Sequence, residues 1–243
     1  DVTLITGDIY VDHPSFGIGI VARLLENLGM KVLVLSQPMS PEDIALFPSP
    51  KYFFGVSSGN LDSMVSNYTA SGKPRKMDSY SYEPDKRPNR AIIVYSNWVR
   101  SCFKQTPIVI GGLEASLRRF GHYDWWQNKV RHSILLDSKA DLLIFGMAEL
   151  ALTTMVPLLK RGVPLKKIKY LEGTAFYTTH LEDIPENYQP LDSFDSIASD
   201  KIAYTHAYEQ FYAANTTSDQ HGLYQQDGNK FVVQNPPSRP LTP

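Results

Sequence analysis

An open α/β fold with a doubly wound, mostly parallel sheet is predicted by three features of this sequence. Short apolar runs read as buried strands, segments of helical period alternate with them, and small polar turns follow the strands. The chain has 243 residues, 42% hydrophobic and 20% charged, enough to bury a full core without a disulfide or a structural metal.

The elements follow in order. Val2 to Ile5 is a first strand, bounded by Gly7 and Asp8. Ile20, Val21, Leu24, Leu25 and Leu28 then share one face of a helix, with Ser15 as N-cap and Gly29 as its stop. Lys31 to Leu35 is a second strand, completing a βαβ unit whose crossover is right-handed and makes a parallel sheet. Tyr52 to Val56 is a third strand, followed by a helix over Leu61 to Ala70 with Asn60 near its cap. Ile92, Tyr95, Val99 and Phe103 keep a helical spacing, which assigns residues 89–104 to a helix and Pro107 to Ile110 to the next strand. Asp141 to Phe145 is a further strand, leading through Gly146 into a helix from Ala148 to Arg161 that Gly162 ends, and a weaker strand is expected at Ile168 to Leu171.

Residues 1–180 therefore form the α/β domain. Residues 181–243 read as an irregular C-terminal extension and Pro-rich linker, with an amphipathic helix over 200–214 and a tight hairpin at Gln225 to Lys230 before Phe231 to Val233. Too few apolar positions recur for a second core, so this tail packs back on the sheet or reaches toward a following segment. The chain starts at Asp1 without Met and ends in Pro-rich sequence, so both ends read as cuts in a longer protein.

Composition excludes several functions. A net charge of −1 supplies no field for nucleic acid or an anionic membrane. Cys102 stands alone, which excludes an internal disulfide, a zinc ribbon and an iron–sulfur cluster held by this chain by itself, and fits a reducing cytoplasm. No apolar run approaches the roughly 20 residues of a membrane helix, and no leader pattern opens the chain. The histidines show no metal-site spacing, and neither a Walker loop nor a Gly-x-Ser-x-Gly elbow occurs.

In an open parallel sheet, ligands bind beyond the carboxyl ends of the strands, where the winding reverses. In a flavodoxin-like order the relevant turns run from Gly7 to Pro14 and from Ser57 to Asn60, with Gly111 to Glu114 beside them. Asp8, Asp12, His13, Gly59, Asn60, Ser63, Gly112 and Glu114 are accordingly the expected pocket residues, glycines letting backbone approach a ligand and the acids and Asn60 orienting it. Gly17-Ile-Gly19-Ile-Val-Ala22 matches the dinucleotide fingerprint only formally. Its glycines fall inside the predicted helix and no acid follows the second strand, so close helix-to-sheet packing is the expected reason for them. Residues 72–90 carry six Lys or Arg, three acids and three Pro, a lid or phosphate-binding arm or, more plainly, a solvated excursion. Glu114, Arg118, Arg119, His122, Asp124, Lys129 and Arg131 surround Trp125 and Trp126, either as an anchoring surface for a phosphate or partner domain or as ordinary surface ion pairing.

Longer motifs are more specific. Gly7-Asp-Ile-Tyr-Val-Asp-His-Pro-Ser-Phe-Gly17, Phe53-Phe-Gly-Val-Ser57, Gly59-Asn-Leu-Asp-Ser-Met-Val65, Tyr68-Thr-Ala70, Lys86-Arg-Pro-Asn-Arg90, Ile108 to Arg119, Asp137-Ser-Lys-Ala-Asp141 and Gln234-Asn-Pro-Pro237 together resemble the amino-terminal region of YgiQ-like radical SAM proteins. The resemblance implies a Rossmann-like domain of cobalamin-binding type ahead of a radical SAM core, whose Cys-x-x-x-Cys-x-x-Cys motif holds a [4Fe-4S] cluster that cleaves S-adenosylmethionine. That motif is absent here, so no catalytic residue carries over. The base-off cobalamin motif is Asp-x-His-x-x-Gly, whereas Asp12 and His13 are adjacent and Gly17 lies four residues after the histidine. Axial ligation by His13 is therefore unsupported, and base-on binding or a pocket without cobalamin both stay open.

Three functions follow as expectations: a substrate- or cofactor-positioning module for a radical SAM core, a stand-alone nucleotide- or sugar-phosphate-handling enzyme with Asp12 or Glu114 as general base, or a docking domain with a filled crevice.

Overall fold

The structure is a computed structural model and describes residues 1–11, 16–82, 86–216 and 220–239. Its first half alternates as expected, with one helix, α2, beyond those expected from the sequence: β1 (Val2–Thr6), α1 (Gly17–Asn27), β2 (Val32–Ser36), α2 (Pro41–Ala45), β3 (Phe53–Ser57), α3 (Ser63–Asn67), α4 (Ala91–Cys102) and β4 (Ile108–Gly111). Then come α5 (Leu113–Leu117), the hairpin β5 (His122–Asp124) and β6 (Lys129–Arg131), α6 (Ile134–Asp137), β7 (Leu142–Ile144), α7 (Glu149–Lys160) and β8 (Thr174–Thr178). The last part adds β9 (Gln189–Pro190), α8 (Phe194–Ser199), α9 (Lys201–Thr216), β10 (Leu223–Asp227) and β11 (Lys230–Gln234).

Nine of these strands form one sheet in the order β2-β1-β3-β4-β7-β8-β11-β10-β9. The pairs β2-β1, β1-β3, β3-β4 and β4-β7 are parallel, so the winding reverses between β1 and β3, as a doubly wound sheet requires. β8 joins antiparallel to β7 and β11 antiparallel to β8, so the tail returns to the sheet and extends it. The Asp-Gly signal marks the β10–β11 hairpin, where Asp227 pairs with Lys230 across Gly228 and Asn229.

Alternation along the strands sends side chains to two cores. Ile5, Phe54, Val56, Ile108, Ile110 and Leu143 face α2, α4 and α6, whose Ile44, Ile92, Tyr95, Val99, Ile134 and Leu135 are buried there. Val2, Leu4, Phe53, Val109, Leu142 and Ile144 face α1 and α7, which contribute Ala22, Leu25, Leu152, Met155 and Val156.

Several local expectations change. The weaker strand at Ile168 to Leu171 is not formed; a 3-10 turn over Leu165–Lys167 precedes the true strand β8, whose residues are buried except Tyr177. α3 is shorter than the apolar pattern from Leu61 to Ala70, because Asp62 caps it by accepting from the Met64 N–H and Tyr68 is already extended. α1 begins after Phe16, and the expected cap Ser15 lies outside the described residues. Gly17 and Gly19 do not pack on the sheet: a Cβ on Gly17 would meet nothing within 4 Å, and one on Gly19 would meet the Phe16 ring.

Candidate functional site

The turns after β1, β3 and β4 meet at the carboxyl edge of the sheet, around a cavity of about 280 Å³ between α1 and α7. Both helices run back from this edge. At the far end Lys160 Nζ donates to the Leu28 carbonyl, joining their C-termini, while the cavity is lined by Ile18, Val21 and Leu24 of α1 on one side and by Ala148, Glu149 and Leu152 at the start of α7 on the other.

The floor is made by three neighbouring strands. Leu4, Gly55 and Val109 lie in register across β1, β3 and β4, and all three line the cavity. Leu4 Cδ2 lies 2.6 Å from where a Cβ on Gly55 would stand, so the glycine in mid-sheet makes room for the Leu4 side chain, and both residues border the hollow. One step nearer the mouth the floor is Thr6, Ser57 and Gly111, and the lining there turns polar.

At the mouth, Asp8 is 3% exposed and bound from two sides. Its carboxylate accepts from the Asn60 backbone N–H at 2.6 Å and from Arg87 Nη2 at 2.5 Å. Burial pushes the Asp8 carboxyl up from the usual carboxylate range, while the Asn60 N–H and the Arg87 charge pull it down; the rise prevails. Gly59 sits at φ +110° directly over this carboxylate, where a Cβ would collide with it. Gly112, at φ +86°, brings its backbone within reach of Ser57, whose Oγ a Cβ would meet at 2.8 Å.

Arg87 belongs to the 72–90 segment, whose composition alone suggests a solvated excursion. Its side chain is fully buried, donating to Asp8, to Asp78 at 2.5 Å and through Nε to the Gly7 carbonyl at 3.0 Å. Gln37 makes a second tie, donating to Gly7 O and accepting from the Tyr82 N–H. The described part of the 72–90 segment is thus stitched to the turn after β1, with Tyr80 O accepting from the Ile9 N–H.

The expected pocket residues separate into three groups. Asp8, Gly59, Asn60 and Gly112 line the cavity. Ser63 and Glu114 do not: both are 0% exposed. Glu114 Oε2 accepts from the Ser63 N–H at 2.8 Å and Oε1 from the Ile92 N–H at 3.2 Å, so this carboxylate ties the starts of α3 and α4 to the turn after β4. With both oxygens so engaged, Glu114 is not placed to take a proton from a ligand in the crevice. Asp12 and His13 lie outside the described residues.

Glu149 was not singled out in the sequence. It opens α7, lines the mouth, and its Oε2 is buried with no hydrogen-bond partner among the described residues. The signal available was an acid in the first turn of a helix that follows a Gly-containing turn after a strand.

The band around the tryptophans is built of ion pairs. Arg90 Nη2 reaches Asp124 at 2.5 Å and Arg118 Nη2 reaches Asp62 at 2.6 Å. Arg119 lies between the Phe145 and Phe211 rings, 4.3 and 4.4 Å from their centroids, and donates to Gln234 and Asn215. Among the described residues no group of three or more His, Cys, Asp or Glu is arranged to hold a metal ion, and no helix is long and apolar enough to cross a membrane.

The family described as Radical SAM N-terminal matches residues 1–243. A UPF0313 protein of Thermotoga neapolitana is 45% identical over 246 residues, covering 100% of this chain and 43% of that protein. UPF0313 proteins of Thermotoga maritima and Clostridium botulinum (Type A) are 44% and 45% identical, and the chain spans 43% and 38% of their lengths. With the match running from the first residue to the last, this chain belongs to the radical SAM N-terminal family.

Proposed function

We propose that this chain is the part of a radical SAM protein that holds a substrate or cofactor at the carboxyl edge of its sheet and presents it to the remainder of the polypeptide, which carries the chemistry. The observation that supports this most is the open hollow at the point where the winding reverses, with an apolar floor and a polar mouth. A purely structural docking domain is expected to have this crevice filled, whereas about 280 Å³ is open here. A stand-alone enzyme would need a general base, and the two expected bases are Glu114, engaged by two backbone N–H groups, and Asp12, outside the described residues.

The family implies a [4Fe-4S] cluster and S-adenosylmethionine in the parent protein. The donor set here does not fit such a cluster: the sequence contains one cysteine, and the described residues hold no metal-binding group. The residues of this chain bind and orient; the radical step lies elsewhere.

In the full-length protein, wild type and Gly55→Leu are compared by native mass spectrometry after purification from the same cells. The reading predicts a small molecule retained by wild type and lost from the variant at equal iron content. Equal retention by both would refute it.

A further inference from the structure

On the reading that this hollow receives a ligand, we infer that Glu149 is the group that recognises it, and that the ligand class is an apolar body carrying an N–H or O–H donor and no negative charge. The inference comes from counting which polar groups at the mouth are already engaged. Thr6 Oγ1 accepts from the Asp8 N–H at 3.2 Å, and Ser57 Oγ accepts from the Gly59 N–H at 3.2 Å. Asp8 is held by Asn60 and Arg87. The Asn60 side-chain amide and Glu149 Oε2 are left, and of the two the Glu149 oxygen is the buried one, without a donor among the described residues.

A carboxylate is an acceptor, so the complementary ligand group is a donor. Asp8 and Glu149 are also the only ionisable side chains among the described lining residues; no Lys, Arg or His is there to meet an anion. The positive end of α7 is answered from within the chain by Glu149 in its first turn, whereas α1, whose Gly17 and Ile18 also line the mouth, has no acid there; that end is worth about half a charge against the two carboxylates. Deeper in, Leu4, Phe53, Val109, Ile144 and Leu152 around Gly55 offer only apolar surface, which selects a ligand body without charge. A nucleotide or sugar phosphate, the substrate class of the stand-alone enzyme reading, would meet no cationic side chain among the described lining residues.

Three probes of one ring system separate the terms: 1-naphthylmethylamine, a cation at pH 7; 1-naphthol, neutral with a donor; and 1-naphthoate, an anion. Each is titrated calorimetrically into the full chain. The amine is expected to bind best and naphthoate at least about tenfold more weakly, the size of one charge-assisted hydrogen bond. Glu149→Gln, at a half-buried helix start where folding is not at stake, is expected to bring amine and naphthoate within about threefold. Gly55→Leu is expected to abolish binding of all three. Naphthoate binding as tightly as the amine, or a tenfold gap that survives Glu149→Gln, overturns recognition by Glu149 while leaving the ligand site standing. No binding of any probe to wild type, or undiminished binding to a folded Gly55→Leu, overturns both.

Discussion

Two glutamates near the same edge of the sheet have opposite surroundings. Glu114 is fully buried with each oxygen answered by a backbone N–H, whereas Glu149 stands half-buried at the mouth. Truncating Glu114 strands two buried donors, so Glu114→Ala is expected to cost about 2–4 kcal/mol in urea denaturation, and Glu149→Gln less than about 0.5 kcal/mol. A Glu114→Ala protein of wild-type stability would remove its role as a tie between helices. His122 gives a pH dependence. Burial, aided by Arg118, pushes its imidazole from 6.5 down to about 4. As pH falls below 6.5 the unfolded chain takes up a proton that the folded chain refuses, so stability declines from there to about pH 4. The slope is at most about 1.4 kcal/mol per pH unit. Denaturation midpoints at pH 7, 5.5 and 4.5 should show this loss in wild type and a shallower one in His122→Phe; identical slopes would show that other groups carry it.

At the scale of elements, the most consequential tie is the one between the turn after β1 and the segment running up to α4. Arg87 joins Asp8, Asp78 and Gly7 from a fully buried position, and Gln37 repeats the link. Removing the guanidinium leaves two carboxylates without their partner, so Arg87→Met is expected to destabilise by about 3–5 kcal/mol. Amide hydrogen exchange should localise the loss to residues 78–82 and the turn after β1; exchange unchanged there would mean that the segment is held by other contacts. The alternation of elements was legible because period decides it: β1, α1, β2, α4, β4 and α7 all follow from apolar spacing. β8 was missed because Ile168 and Leu171 mimic a strand, while Thr174–Thr178 is read correctly only once the positive-φ Gly173 is known to separate it from the preceding turn. The hairpin of β5 and β6 is two three-residue strands, too short for any period to register.

For the whole molecule, the parallel half and the place of the crevice follow from the order of strand and helix, while of the antiparallel half only the β10–β11 hairpin does, since β8 meets β11 across more than fifty intervening residues. The site was legible in outline through its glycine turns and opaque in detail. The hollow is bordered by residues far apart in the chain, and the one local trace of it in the sequence is a lone glycine inside the run from Tyr52 to Val56. Ser63 and Glu114 were read as pocket residues because they follow the right turns, but linear spacing does not say which way a side chain points.

The claim on which all of this rests is that the hollow between α1 and α7 takes a ligand. Its direct measurement is amide chemical-shift mapping of the isotopically labelled chain on addition of 1-naphthylmethylamine. The account predicts shifts concentrated at Gly55, Gly59, Gly111, Gly112, Glu149 and Leu152, saturating together. Shifts centred instead on the smaller hollow bounded by His122, Tyr204, Tyr208 and Phe211, or scattered over the surface without saturation, would contradict it.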